Sequence, residues 1–433
     1  MGLPRPAGPG GLGPAVACAA AGAHHTPGRG QRRPGGHEPV RDLRLPRDHL
    51  VTDAVTSRLV LAAGVVVAPD RDLVPGYVVV EGGLIAEVRE GTPRRADREF
   101  PHGVLAPGFV DLQVNGAAGA DFLSCTPEQF AAARRYLAST GTTSFLPTLI
   151  TAPPEVVRAA AQVVAAGAGG GAQPVGLHLE GPAISPKRAG AHDPRWIVPP
   201  GDPSVRRLVA DLGGLVRAVT VAPEQPGGLE LVRWLAGAGV VASVGHSDAT
   251  YQQAREAFEA GAGMVTHLFN AMRGLHHREP GVVGAALEDG AWVCGLVADG
   301  VHVHPAAFRL AYRLLGSERM ALVTDAMAAA GAAPGRYRLG GALATVLPGE
   351  APRLADGTLA GTVLRMDEAV DNAIRWGVPL RDAVRMATTT PARVLRLEDR
   401  GLLRPGLRAD LCVLVEGRAA LTVVAGEVVW DSF

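Results

Sequence analysis

Hydrophobic positions fall into two textures along this chain, and the switch between them suggests how it divides. Short β-branched runs at 59–67, 76–80 and 84–88 are separated by turn residues such as Ala68-Pro69-Asp70 and Glu81-Gly82-Gly83. This pattern predicts antiparallel strands. A matching set closes the chain at 409–415, 421–425 and 427–430. The two strand-rich ends, 53–105 and 404–433, are expected to pair in space as one small β-sandwich domain.

Between them, apolar runs alternate with amphipathic stretches. Strands are predicted at 144–150, 174–179, 240–244, 264–266, 292–297 and 320–323, and helices at 127–139, 154–165, 228–236, 251–260 and 306–315. Thr126-Pro127-Glu128-Gln129 is a helix start, because Thr126 can cap, Pro127 suits the first turn and Gln129 completes a capping box. Repeated βα units imply a parallel sheet covered by helices. An open doubly wound sheet and a closed barrel both satisfy the alternation. The length of 106–403 suits a (β/α)8 TIM-type barrel of typically about 250 residues with insertions, so the expected fold class is α/β.

Composition narrows the function classes. Formal net charge is zero and no block of like charge occurs, which argues against nucleic acid or a membrane surface as partner. The four cysteines, Cys18, Cys125, Cys294 and Cys412, show no paired spacing; free thiols in a reducing cytoplasm are the plain reading. No apolar run approaches the ~20 residues of a membrane span. Residues 1–52, rich in Gly, Pro and Arg, lack any periodicity and are expected to be a disordered extension; His24 and His25 there are expected to be solvent-exposed. Lys187 is the only lysine among 42 lysine and arginine residues, a bias read as codon usage.

What ends each apolar run carries the chemistry. The run from Pro174 ends on His178 and Glu180, that from Val240 on His246, and that from Met264 on His267 and Asn270. The run from Trp292 ends on Asp299 and His302, and that from Met320 on Asp325. In a parallel barrel the C-terminal strand ends share one rim, where such enzymes keep their chemistry. Any one of these residues alone reads more simply as a core histidine, a cap or a turn residue. Together they read as a site. Glu180, His246 and His267 make the one-carboxylate, two-imidazole set of a catalytic metal site with an open position. Asp325 is a separate carboxylate able to move a proton.

The motifs Pro107-Gly108-Phe109-Val110-Asp111, Leu177-His178-Leu179-Glu180-Gly181-Pro182, Gly245-His246-Ser247-Asp248, Thr266-His267-Leu268-Phe269-Asn270-Ala271-Met272, Ala298-Asp299-Gly300-Val301-His302 and Leu322-Val323-Thr324-Asp325 closely resemble the N-acetylglucosamine-6-phosphate deacetylase family of the amidohydrolase superfamily. The resemblance runs in order from about residue 59 to the end. It implies one divalent metal, zinc first with ferrous iron and others open, on Glu180, His246 and His267. It implies Asp325 as acid/base and His192 as the residue that polarises the acetyl carbonyl. Ala191, Asn270, Ala271, Arg278, Asp299 and His302, with the backbone of Leu359, Ala360 and Gly361, would hold the sugar phosphate. Arg278 would serve a neighbouring subunit, which implies a homodimer.

One position departs from the wider superfamily. The His-x-His that many amidohydrolases carry after the first barrel strand is here Gln113 and Asn115. Neutral amides are poor zinc ligands, so a mononuclear site is expected. Three alternatives stay open: the galactosamine epimer as substrate, a non-phosphorylated amide, and a barrel that has lost catalysis. Retention of Glu180, His246, His267 and Asp325 speaks against the last.

Overall fold

A computed structural model describes residues 58–167, 169–288 and 290–432. The expectations placed on residues 1–52, including His24, His25 and Cys18, lie outside the described residues.

The two ends do meet. Strands β1 (Arg58–Val67), β2 (Gly76–Glu81), β3 (Leu84–Glu90) and β4 (Arg98–Pro107) join three strands from the end of the chain in one sheet. The junction is antiparallel, with Val413 opposite Leu105 and Leu411 opposite Pro107. A single apolar cluster collects Leu61, Val78, Ile85, Phe100 and Leu105 with Leu411, Val413 and Leu421. One sheet can enclose one core from both of its ends only by curling over itself, which gives the expected small β-sandwich unit.

The barrel strands follow: β5 (Phe109–Val114), β6 (Thr142–Ile150), β7 (Leu177–Glu180), β8 (Val216–Val221), β9 (Val241–Val244), β10 (Met264–Val265), β11 (Val293–Leu296) and β12 (Met320–Leu322). They pair in sequence order and all in parallel. The seam between β12 and β5 closes just past the strand ends, where the Asp325 amide donates to the Gln113 carbonyl at 2.9 Å and the Asn115 amide to Ala326 at 2.7 Å. This is the (β/α)8 barrel rather than the open sheet. The closing strands β13 (Leu411–Val415), β14 (Arg418–Val424) and β15 (Glu427–Asp431) complete the terminal sheet.

Helices lie between the strands. The first, α1 (Pro127–Ala138), starts with the full capping box, Thr126 accepting from the Gln129 amide and Gln129 answering. Strand β8 was not anticipated from the sequence, because Arg217 interrupts its apolar run and parallel strands are recognised by continuous apolarity. The helix Pro203–Leu212 before it was also missed, although Asp202 caps it and Pro203 opens it. Among the described residues no helix is long and apolar enough to cross a membrane.

Candidate active site

Three side chains from three strand ends meet at one point. Glu180 closes β7, His246 lies two residues past β9, and His267 two past β10. Both histidines, and Asp325 after β12, have positive φ, at 45°, 28° and 49°. Non-glycine residues rarely adopt this left-handed region, and residues held there cluster at active sites. Each sits where its strand stops, so the backbone reverses as it leaves the rim.

Glu180 Oε1 lies 3.1 Å from His246 Nε2 and 3.0 Å from His267 Nε2, and the two nitrogens are 3.1 Å apart. His246 donates from Nδ1 to the Arg188 carbonyl at 2.7 Å, which leaves a lone pair on its Nε2. A neutral His246 therefore aims a lone pair at the Glu180 carboxylate oxygen, itself an acceptor, with His267 Nε2 beside both and all three side chains buried. Such a cluster calls for a cation at its centre. Ligands about 2.0–2.1 Å from a tetrahedral zinc stand roughly 3.3 Å from one another, close to the spacing seen, so the residues present fit a divalent metal. Burial opposes ionisation of Glu180, but the His246 and His267 contacts override it and hold its carboxyl well below the usual range.

Asp325 faces the same space. Its Oδ1 accepts from Asn115 Nδ2 at 2.7 Å and from Gln113 Nε2 at 3.1 Å, and Gln113 also donates to Glu180 Oε1 at 3.0 Å. Burial, reinforced by the Glu180 charge, pushes the Asp325 carboxyl up to about 6. His192 is buried 4.4 Å, ring to ring, from His246. The Thr151 amide donates to its Nδ1 at 3.2 Å, and the Thr151 hydroxyl lies 2.8 Å away. An accepting Nδ1 puts the proton on Nε2. Burial, and then the neighbouring His246, lowers His192 to about 3, so it stays a neutral donor.

A cavity of about 380 Å³ opens above these groups. Of the residues expected to bind substrate, Ala191, His192, Asn270, Ala271, His302, Leu359 and Gly361 line it. Asp299 and Ala360 do not. Asp299 instead stands behind His302, accepting from its Nδ1 at 2.6 Å, and so turns Nε2 away from itself; Ala360 is fully buried. Arg278 is exposed on the loop after Met272, beside His277 at 2.8 Å, and is absent from its own chain's cavity. His178 lies deeper in the barrel, on the same face as Glu180 two residues on. It contacts Thr220 Oγ1 at 2.8 Å and the Leu112 carbonyl at 3.3 Å, and burial lowers its pKa to about 4.

Sequence reasoning missed several members. Gln113 and Asn115 read only as non-ligands, yet they hold Asp325. Thr151 ends an apolar run, the same signal that marked the other strand ends, and it fixes His192. Ile150, Lys187, Arg188, Gly190, Leu339 and Thr358 also line the walls.

A parallel barrel with one carboxylate and two imidazoles at its C-terminal rim, beside a separate acid, defines a class of metal-dependent hydrolases. The chain belongs to the amidohydrolase family, whose profile matches residues 104–429. It is 37% identical over 370 residues to N-acetylglucosamine-6-phosphate deacetylase of Bacillus subtilis, covering 82% of this chain and 93% of that protein. It is 42% identical over 344 residues to N-acetylgalactosamine-6-phosphate deacetylase of Escherichia coli O157:H7, covering 78% and 90%. Among solved structures, an N-acetyl-D-glucosamine-6-phosphate deacetylase mutant from Mycobacterium smegmatis, in complex with N-acetyl-D-glucosamine-6-phosphate, superposes with a TM-score of 0.81 at 39% identity. That match covers 86% of this chain and 99% of the other.

Proposed function

We propose that the chain hydrolyses the acetamide of N-acetyl-D-glucosamine 6-phosphate, releasing acetate and D-glucosamine 6-phosphate in amino-sugar catabolism. The observation that carries this reading is the close triangle of Glu180, His246 and His267 beside a carboxylate held by two amides, in a chain whose relatives bear that activity by name. Glu180 Oε1 with the Nε2 atoms of His246 and His267 would hold one divalent ion, zinc first and ferrous iron second. When bound, that ion supplies Lewis acidity toward the acetyl carbonyl and lowers the pKa of water to roughly 7.

The chain's own residues do the rest. His192 presents a fixed Nε2–H to the acetyl oxygen, where negative charge develops as the carbonyl carbon becomes tetrahedral. Asp325 takes a proton from the attacking water on the oxygen that its amide partners leave free, then returns it to the departing nitrogen. Asn270, the Ala271 backbone and His302 suit the phosphate end. Asp299 keeps His302 oriented.

Arg278 completes the phosphate site of a second copy in a homodimer. Mixing an Arg278→Ala chain with an Asp325→Asn chain is expected to restore activity from two weak parents, because half of the mixed dimers' sites are then intact. No restoration in dimers shown to be mixed would rule out the shared site. We place the reaction in the cytoplasm, where sugar phosphates are made and consumed.

The test is acetate release by metal-depleted protein, with and without zinc or ferrous iron. Activity restored by metal and lost in Asp325→Asn is the expected result. Folded protein that is inactive with every metal would overturn the reading. The E. coli galactosamine relative keeps a second substrate in view, and rates on the two epimeric phosphates under identical conditions decide between them.

A further inference from the structure

Beyond the residues assigned above, and resting on the same reading of the substrate, we propose that Lys187 captures the phosphate monoester at the cavity mouth. Lys187 lines the cavity from the short turn Pro186–Arg188 that follows the Glu180 strand. Its side chain is 78% exposed, and its nearest anion is Asp248 Oδ2 at 3.7 Å. That carboxylate is already engaged. Arg188 donates to Oδ1 from Nε and Nη2 at 3.0 and 2.8 Å, and Arg273 to Oδ2 at 3.0 Å. Glu224, the other nearby acid, accepts from the Ser247 hydroxyl and the Asp248 amide, both at 2.7 Å. Three cations thus converge on the single carboxylate of Asp248, Glu224 being taken by neutral donors, and Lys187 is the one of the three that is loosely held.

Its position suits an anion. The Arg273 amide donates to the Ser247 carbonyl, which ties the cationic cluster to the loop carrying Asn270 and Ala271. The two guanidiniums are committed in fixed geometry. The Lys187 ammonium, a compact charge on a flexible stem, can follow a dianion into the cavity. The acetyl end needs no such group, because Glu180, His246, His267 and Asp325 occupy the deep end. Lys187 acts in binding and encounter, so its loss falls on KM and on the salt dependence, with kcat retained.

Because Lys187 is the only lysine in the chain, reductive methylation with carbon-13 formaldehyde gives one lysine signal, separate from the amino terminus. That signal is expected to shift with glucosamine 6-phosphate and to stay in place with glucosamine. In kinetics, Lys187→Met is expected to lower kcat/KM for N-acetylglucosamine 6-phosphate about 10-fold at low ionic strength, by loss of a steering charge. The deficit should shrink near 1 M salt, where the screening length falls to about 3 Å, and unphosphorylated N-acetylglucosamine should be turned over unchanged. Lys187→Arg should recover most of the loss. An active enzyme whose Lys187→Met variant keeps full kcat/KM, or a signal that glucosamine 6-phosphate leaves unmoved, overturns the proposal and leaves the deacetylase reading intact. Wild-type protein inactive on the phosphate ester would instead sink that reading, and the methyl-signal titration still decides whether Lys187 binds a phosphate ester.

Discussion

In the proposed reaction acid–base chemistry turns on Asp325, and its surroundings set a pH prediction. Burial and the Glu180 charge raise it to about 6, against the donors Asn115 and Gln113. A base must be deprotonated to act, so activity is present above its pKa and is lost as pH falls through it. A cation held by Glu180 and the two histidines would stabilise the ionised form and move the midpoint down. The acidic limb of kcat/KM is therefore expected at or below about 6, and Asp325→Asn should cost about 10²- to 10⁴-fold. A limb centred above 7, or one unchanged in the residual activity of Asp325→Asn, would remove Asp325 from the role. Glu180, His246, His267 and Asp325 were legible as site candidates because each stops an apolar run. The amides holding Asp325 were not, since Gln113 and Asn115 reach a partner more than 200 residues away, and nothing local in the sequence marks that distance.

At the scale of elements, the seam between β5 and β12 joins barrel closure to the site. Asp111 accepts from the amides of Gln113 and Thr324, both at 3.2 Å, and from the Thr324 hydroxyl at 2.6 Å. It thereby clasps the strand bearing Gln113 to the residue before Asp325. Asp111→Ala leaves the buried amides of Gln113 and Thr324 unanswered and is expected to cost about 2–3 kcal/mol, with a fall in kcat as Asp325 loses its register. Urea unfolding measures the first effect; an unchanged midpoint would show that the clasp contributes nothing. The capping box of α1 is a separate, local device. Thr126→Ala should lower stability by about 1 kcal/mol and leave kcat alone, so a variant equally stable by denaturation would contradict it. Helix α1 was readable because capping is a matter of four consecutive residues. Strand β8 was not, because Arg217 breaks its apolar run and its place is fixed by pairing with β7 and β9.

For the whole molecule, the small sheet is shared by both ends of the chain and also touches the barrel. The Thr422 hydroxyl on β14 donates to the Ala138 carbonyl at the end of α1 at 2.7 Å. A chain ending at Gly417 loses β14 and β15 and uncovers the edge of β13. It is expected to be insoluble or to melt well below the full chain in calorimetry, and a soluble protein with unchanged Tm would show that the barrel stands without them. The pattern of hydrophobic residues, the strand-end chemistry and the capping signals determined the α/β class, the alternation of strands and helices and the set of candidate site residues, because each is written in a few neighbouring residues, whereas closure into a barrel was decided by the seam between β5 and β12. Tertiary structure alone decided which atoms of Glu180, His246 and His267 face one another, which oxygen of Asp325 stays free, the tautomer of His192 and the withdrawal of Asp299 behind His302. Those features depend on contacts between strands far apart in the chain, and sequence spacing carries no distance or direction across a barrel.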